Sequence, residues 1–282
     1  KKGDAMPMPP SEKFSRLMTV AGGQRVTACD FVAAQTGLSK SRVKDAMNKG
    51  ALWLVRKDEQ RIRLRKASFV LKTGDAIKLY YDEKILKAEA PQAVCLVDYK
   101  HYSLWSKPAG LLTQGTDYGD SGSLLRQVEL IFKSAREVYP VHRLDREAEG
   151  LILVAHSRRA TARLSALFQT RQVVKRYRVE VLGLPAADDA MIDIPLDGKT
   201  ARSRYRVIFR DSGAGRAVLE VEIETGRLHQ IRRHLAAIGH PVMGDPRYGT
   251  GNRNGEPMRL CACELSWRCP FTKKIEQHRL DE

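Results

Sequence analysis

Two clusters of residues in this 282-residue chain have the types and spacing to do chemistry. The first is His142-Arg143-Leu144-Asp145-Arg146, followed by Glu147, Ala148, Glu149 and Gly150 and then by the apolar run Leu151 to Val154. A turn dense in ionisable groups that leads straight into a strand places Asp145 on a loop anchored by rigid structure, where binding and catalytic side chains concentrate. Taken alone, the tripeptide Arg143-Leu144-Asp145 is equally compatible with a surface ion pair from Asp145 to Arg143 or Arg146, which would contribute little. The second cluster runs from Thr225 through Gly226, Arg227, Leu228, His229, Gln230, Ile231, Arg232 and Arg233 to His234. Gly239-His240-Pro241 and Gly244-Asp245 follow it. Here a glycine turn precedes a helix whose first turns hold Arg, His and Gln, donors suited to a phosphate or an ionised carboxylate. His229 and His234 stand five residues apart rather than four, so they do not share a helix face as a zinc pair does. The Cys261, Cys263 and Cys269 set has no evident fourth ligand and reads as thiols in a core, so no metal is expected.

The elements that must position these residues are legible in part. Thr27 can cap a short helix that ends at Gly37, with Asp30 three residues on. Ser39 caps a second helix with Val43, Ala46 and Met47 on one face, and Gly50 closes it. Lys40, Arg42, Lys44 and Lys49 lie largely off that apolar stripe. Leu52 to Val55, Arg61 to Leu64 and the alternating Ile77, Leu79 and Tyr81 read as strands. After an Ala-, Glu- and Pro-containing linker the strands expected are Val94 to Val97, Leu151 to Ala155, Tyr177 to Leu182, Tyr205 to Phe209 and Ala217 to Ile223. The helices expected are Ser123 to Ser134, Arg158 to Gln169 and Gln230 to Ile238. Such a pattern fits an α+β chain: a small α/β module, then a domain with a largely antiparallel mixed sheet flanked by helices and loops. The boundaries read as a disordered arm at 1–23, a basic module at 24–86, a linker at 87–93 and the main domain at 94–282. Trp53, Trp105 and Trp267 are expected in cores or interfaces.

Charge narrows the partners. The net charge of +16 attracts polyanions through phosphate contacts and counterion release. Between positions 40 and 72, eleven basic residues stand against three acidic ones, so half of that excess sits in about an eighth of the chain. Two capped helices with basic side chains beside a small sheet make an economical phosphate-binding surface. Hydrophobic residues at 43% and charged residues at 29% are ordinary globular values, and no apolar run approaches the ~20 residues that cross a bilayer. An odd, sparse set of five cysteines, with no apolar stretch of secretory length near Lys1, leads to the expectation of free thiols in a reducing cytoplasm.

With both clusters in view, the chain resembles the RluA-like family of pseudouridine synthases. The matching residues are His142-Arg143-Leu144-Asp145, then Gly226-Arg227 with His229-Gln230-Ile231-Arg232, Gly239-His240-Pro241 and Gly244-Asp245. Further matches occur in order at Lys107-Pro108-Ala109-Gly110-Leu111-Leu112, Lys175-Arg176-Tyr177 with Gly183, and Ile194-Pro195-Leu196 with Asp197-Gly198-Lys199. The segment from about Gln24 to Leu86 is similar to the small RNA-binding module named after ribosomal protein S-four.

The resemblance implies that Asp145 is the catalytic aspartate, Arg232 the arginine that pairs with it, and Tyr177 the aromatic ring that stacks on the target uracil. Arg143 would fill the gap left by the departed base. His142, Arg227, His229 and Gln230 would contact RNA near the site, and Lys40, Arg42, Lys44 and Lys49 would do so from the module. It further implies a ribosomal RNA substrate of the large subunit; because the isomerisation consumes no redox equivalent or nucleotide, no cofactor is expected, and a monomer with no membrane or obligatory protein partner is expected as well. A transfer RNA substrate and a non-catalytic RNA-binding assembly factor are the alternatives. Five positions depart from the family pattern: Ala148-Glu149 replaces Thr-Ser, Leu228 replaces a small hydroxyl residue, and Cys261 and Cys269 stand where His is common. Glu149 is expected to put negative charge near an RNA-facing loop.

Overall fold

The computed structural model describes residues 13–23, 25–56 and 60–280. Two compact units divide the chain, Lys1–Ala90 with Gln114–Arg126, and Pro91–Thr113 with Gln127–Glu282. Residues 1–12 of the expected arm lie outside the described residues. The rest of that arm differs from expectation, because Lys13–Thr19 forms strand β1, paired antiparallel with Ala76–Asp82. Its Met18 is buried in the first unit's core.

In the first unit, β2 (Val26–Thr27) leads into α1 (Ala28–Thr36) and α2 (Lys40–Asn48). The Thr27 hydroxyl accepts the Asp30 N–H at 3.2 Å, and Gly37 ends α1 in the left-handed conformation at φ 74°. Ser39 accepts the Arg42 N–H at 3.3 Å and so caps α2. Each cap satisfies a backbone donor that would otherwise lack a partner. Val43, Ala46 and Met47 are fully buried against β3 (Leu52–Val55) and β6 (Ala76–Asp82). With β1 and β4 (Arg61–Arg63) these strands form a sheet ordered β1-β6-β3-β4, while β5 (Val70–Leu71) pairs with β2 and α3 (Glu83–Lys87) follows β6.

The basic strand is more heavily compensated than its sequence suggests. Arg63 pairs with Asp120 at 3.2 Å, Arg65 pairs with the same carboxylate, and Arg61 pairs with Asp117 at 3.3 Å. Arg63 also donates to the Thr116 carbonyl at 2.8 Å, and the Trp53 indole N–H donates to the Asp117 carbonyl at 2.9 Å. Both acids come from the segment Gln114–Arg126, which packs with this unit although 94–282 reads as one domain in the sequence.

The second unit is built on a ten-stranded sheet. Its main path is β12 (Asp189–Asp193), β13 (Arg202–Asp211), β14 (Arg216–Ile223), β11 (Val173–Leu182), β15 (Leu260–Arg268), β10 (Glu149–Ala155), β8 (Tyr102–Lys107) and β7 (Val94–Asp98). β9 (Tyr139–Pro140) pairs with β10 and β16 (Ile275–Arg279) with β15. Every pairing is antiparallel except β10 with β15, where Glu149 faces Cys261 and Gly150 faces Ala262. This is a mixed α+β fold with a mostly antiparallel sheet. Helix α5 (Arg158–Gln169) buries Ala160 and Leu164 against Leu151, Leu153 and the Tyr102–Trp267 aromatic cluster. Helix α6 (Gln230–Ala237) also belongs to this unit, as do residues 127–131 of α4 (Leu124–Ile131). No helix among the described residues is long and apolar enough to cross a membrane.

The parallel junction is narrow. Gly150 sits at φ +118°, and a Cβ there would lie 2.4 Å from the Ala262 carbonyl oxygen, so only glycine lets the strand that follows Asp145 enter the sheet at this point.

Candidate active site

Asp145 lies on the loop that feeds β10, and three sets of hydrogen bonds hold that loop. Thr113 donates to the Leu144 carbonyl at 2.8 Å and accepts the Leu144 N–H at 3.2 Å. The Gly110 N–H donates to the Arg146 carbonyl at 2.7 Å. Lys107, fully buried, donates from its ammonium to the Ala148 carbonyl at 2.6 Å and the Leu111 carbonyl at 2.9 Å. Burial lowers the Lys107 ammonium to a pKa of about 8, against the pull of Asp145, Glu147 and Glu149.

Arg232, on the buried face of α6, is brought to this loop across 87 residues of sequence. Its Nη1 donates to Asp145 Oδ2 at 2.9 Å and lies 3.5 Å from Glu147 Oε2. Nε and Nη2 donate in a fork to the two oxygens of Asp245, each at 2.7 Å. Arg232 and Asp245 are both wholly buried, whereas Asp145 keeps 22% of its side chain exposed. Burial opposes the charge on Arg232, but the hydrogen bonds from Asp245 and Asp145 outweigh it and hold the guanidinium above its ordinary value. Burial likewise opposes ionisation of Asp245, and Arg232 with the N–H groups of Arg247 and Tyr248 overcomes it, so that carboxyl is lowered. Asp145 therefore receives a fixed, permanently charged partner and keeps a face open to a ligand. Its ion pair is with Arg232, not with the neighbouring Arg143 or Arg146.

Asp245 carries no site role in the sequence reading. A turn forces it under Arg232: Gly244, at φ +71°, passes so close to Pro257 that a Cβ would lie 2.3 Å from its carbonyl oxygen. The Gly244-Asp245 dipeptide was the available signal, and the need for a second buried acid beside Arg232 was not visible in it.

Tyr177 points to the buried face of β11, which alternates Val173, Lys175, Tyr177, Val179 and Val181. Burial, reinforced by the Asp145 charge, raises its phenol above the ordinary value, so it stays protonated at neutral pH. The ring can stack and its hydroxyl can donate. His229 occupies a left-handed conformation at φ 51° just before α6, with Nε2 3.8 Å from Asp145 Oδ1 and Nδ1 2.9 Å from the Tyr248 hydroxyl. Burial lowers its pKa despite Asp145.

The structure does not bring every expected contact residue to a ligand-facing surface. His142 accepts the Leu153 N–H at 3.1 Å and stacks on Phe168 at 4.4 Å, and burial drives it down to about 3. It is a neutral support of the loop. Gln230 is also internal: its oxygen accepts from Thr225 at 2.6 Å and the Arg227 N–H at 3.0 Å. Its nitrogen donates to the Arg202 carbonyl at 2.9 Å and to Ser203 at 3.0 Å. Those contacts fix the turn that delivers His229. Arg227 is exposed and donates to the Thr200 carbonyl at 3.1 Å, and Arg143 is exposed beside His142. In the first unit Lys44 is exposed, Lys40 pairs with Asp30 at 2.6 Å and Arg42 with Glu83 at 3.6 Å. Lys49 donates to the Leu86 carbonyl at 2.6 Å and to Asp45 at 3.0 Å.

Glu149 differs from expectation too. It lines a cavity of about 590 Å³ with Arg178, Glu180 and Cys261. Arg178 and Glu180 alternate with Tyr177 along β11, so Glu149 serves the sheet face opposite Tyr177. Burial pushes the Cys261 thiol up to about 12, and Cys263 and Cys269 are buried. Among the described residues no three His, Cys, Asp or Glu side chains form a group that could hold a metal ion. His234 spends both ring nitrogens internally, donating to the Ile194 carbonyl and meeting Ser203, each at 2.9 Å.

Residues 101–237 match the family described as RNA pseudouridylate synthase. The dual-specificity RNA pseudouridine synthase RluA of Vibrio vulnificus is 32% identical over 64% of this chain and 79% of its own length. The ribosomal large subunit pseudouridine synthase D of Nitrosomonas europaea is 34% identical over 58% of this chain and 52% of its own. Human RNA Pseudouridylate Synthase Domain Containing 1 shares the fold with a TM-score of 0.58 at 20% identity, over 69% of this chain and 85% of that one. The protein is an RNA pseudouridine synthase. It belongs to the RluA-like family of these enzymes.

Proposed function

We propose that the enzyme isomerises specific uridines of large-subunit ribosomal RNA, with Asp145 acting on the ribose, Arg232 holding it ionised and Tyr177 stacking on the uracil. The observation that carries the roles is the 2.9 Å bond from the fully buried Arg232 to a carboxylate that still faces outward. The reaction breaks the bond from the ribose carbon to uracil nitrogen, turns the base and joins the same ribose carbon to a uracil ring carbon. That ring carbon loses a proton and the freed nitrogen gains one. Nothing is oxidised and no co-reactant is consumed. A carboxylate kept anionic can attack or stabilise the electron-poor ribose carbon when the base departs. Extrusion of the stacked uridine costs a few kcal/mol, which an aromatic platform and a cation entering the vacated space offset. Exposed Arg143 is assigned that second task.

Two features support ribosomal RNA as the target: the name of the Nitrosomonas europaea relative and segment 24–86, assigned as an RNA-binding module, in which Lys44 stays exposed while other cations pair within the protein. Mapping pseudouridines in RNA from cells with and without the gene tests this reading. Loss of a large-subunit site supports it, loss confined to transfer RNA replaces the target, and no loss anywhere overturns it.

A further inference from the structure

Lys175 interrupts the apolar inward face of β11 between Val173 and Tyr177. Its pairing register opposite Leu265 fixes it on the same face as Tyr177, one inward position away. The amine is partly buried and makes no ion pair or hydrogen bond with the described residues. The charged groups felt there are cationic. Arg171 opposes its protonation, and Lys175 in turn helps to keep neighbouring His142 neutral. Burial and Arg171 together lower the Lys175 ammonium from its ordinary value. A half-desolvated cation with no counter-charge destabilises the free protein, so its position calls for an anion from outside.

We propose that Lys175 binds a phosphate of the substrate RNA beside the target uridine, which makes it a positioning residue for the nucleotide that stacks on Tyr177. Two neighbours locate this contact. Tyr177 lies one inward position along the strand, and Val173 and Leu265, which flank Lys175 on that face, pack in one cluster with Val141, two residues before exposed Arg143. Lys175 and Arg143 then flank the flipped nucleotide, one on the backbone and one in the gap. The proposal rests on the function proposed above, because it takes the polyanion to be the substrate.

The test compares wild type with Lys175→Met and Lys175→Arg on unmodified transcripts of large-subunit ribosomal RNA and of transfer RNA. RNA affinity is measured across salt concentrations, with single-turnover rates at saturating RNA and thermal unfolding of each protein. Lys175→Met is expected to unfold at or above the wild-type temperature, since it removes an uncompensated charge. Its affinity is expected to fall about tenfold, as for one charge-assisted contact. The log-log salt slope is expected to shrink by about 0.7 to 0.9, the signature of one lost phosphate. Lys175→Arg should restore the slope. A purely structural lysine would give the reverse, a lower unfolding temperature with unchanged affinity and slope, and that result overturns the proposal. Binding does not require turnover. A wild type that modifies neither transcript counts against the proposed function, while the slope still decides the role of Lys175.

Discussion

Replacing Arg232 by Met should change both the size and the sign of an electrostatic contribution to stability. Arg232 and Asp245 are wholly buried, and the fork between them consists of two bonds of 2.7 Å. Methionine fills much of the volume and leaves the Asp245 carboxylate with only the N–H groups of Arg247 and Tyr248. Breaking such a pair from one side destabilises by about 3–5 kcal/mol, because the remaining charge stays desolvated. In the wild type the folded-state pKa of Asp245 is depressed. Its contribution is therefore present above the unfolded value near pH ~4 and is lost as pH falls through the lower folded value. Without Arg232, burial becomes the dominant influence and the folded pKa rises above the unfolded one. The variant should then recover stability as pH falls from neutrality towards ~4, where the wild type holds level or begins to lose it. Urea unfolding followed by circular dichroism from pH 4 to 8 reads both effects, and the gap between the two proteins should narrow on acidification. A loss under about 1 kcal/mol at neutral pH, or parallel pH profiles, would refute the claim that Arg232 neutralises a buried acid. The double variant Arg232→Met with Asp245→Leu should recover much of the loss.

Asp145→Asn should lower pseudouridine formation on the order of 10⁴-fold while RNA affinity holds or improves; activity within about tenfold of wild type in a tritium-release assay rules the carboxylate out of the chemical step. Gly150→Ala should destabilise the second unit by at least about 1–3 kcal/mol, since the backbone at φ +118° and the Ala262 carbonyl both resist a side chain; an unchanged urea midpoint would contradict this. Lys44→Gln should reduce the salt slope of RNA binding by about 0.7 to 0.9, whereas Lys49→Gln, which loses the Leu86 and Asp45 bonds, should act on stability as well; equal slopes for wild type and Lys44→Gln would remove Lys44 from the interface.

Features that depend on neighbours within a few residues are legible in the amino-acid order. Thr27, Gly37 and Ser39 announce the ends of two helices because capping bonds span three or four positions. The alternation of Ile77, Leu79 and Tyr81 announces β6 because successive side chains of a strand face opposite ways. The ordered motifs around Asp145 and Arg232 carried the family. Strands whose pattern is not a clean apolar alternation, such as β8 with buried Ser103 and Lys107, carry no such local signal.

Which polar groups meet depends on the closed fold. Nothing local distinguishes Gln230, which spends its amide inside the protein, from Arg227, which remains exposed one turn earlier. The cations of Arg61, Arg63 and Arg65 count towards an RNA-binding surface until Asp117 and Asp120 arrive from more than fifty residues away to neutralise them. Asp145 acquires its partner across 87 residues, and that partner can remain charged in the core only because Asp245 meets it there. Caps and strand alternation act over one or two turns of chain and are written in adjacent letters. Compensation of a buried charge depends on whichever segments the fold brings within about 3 Å, and that set exists only once the chain has closed on itself.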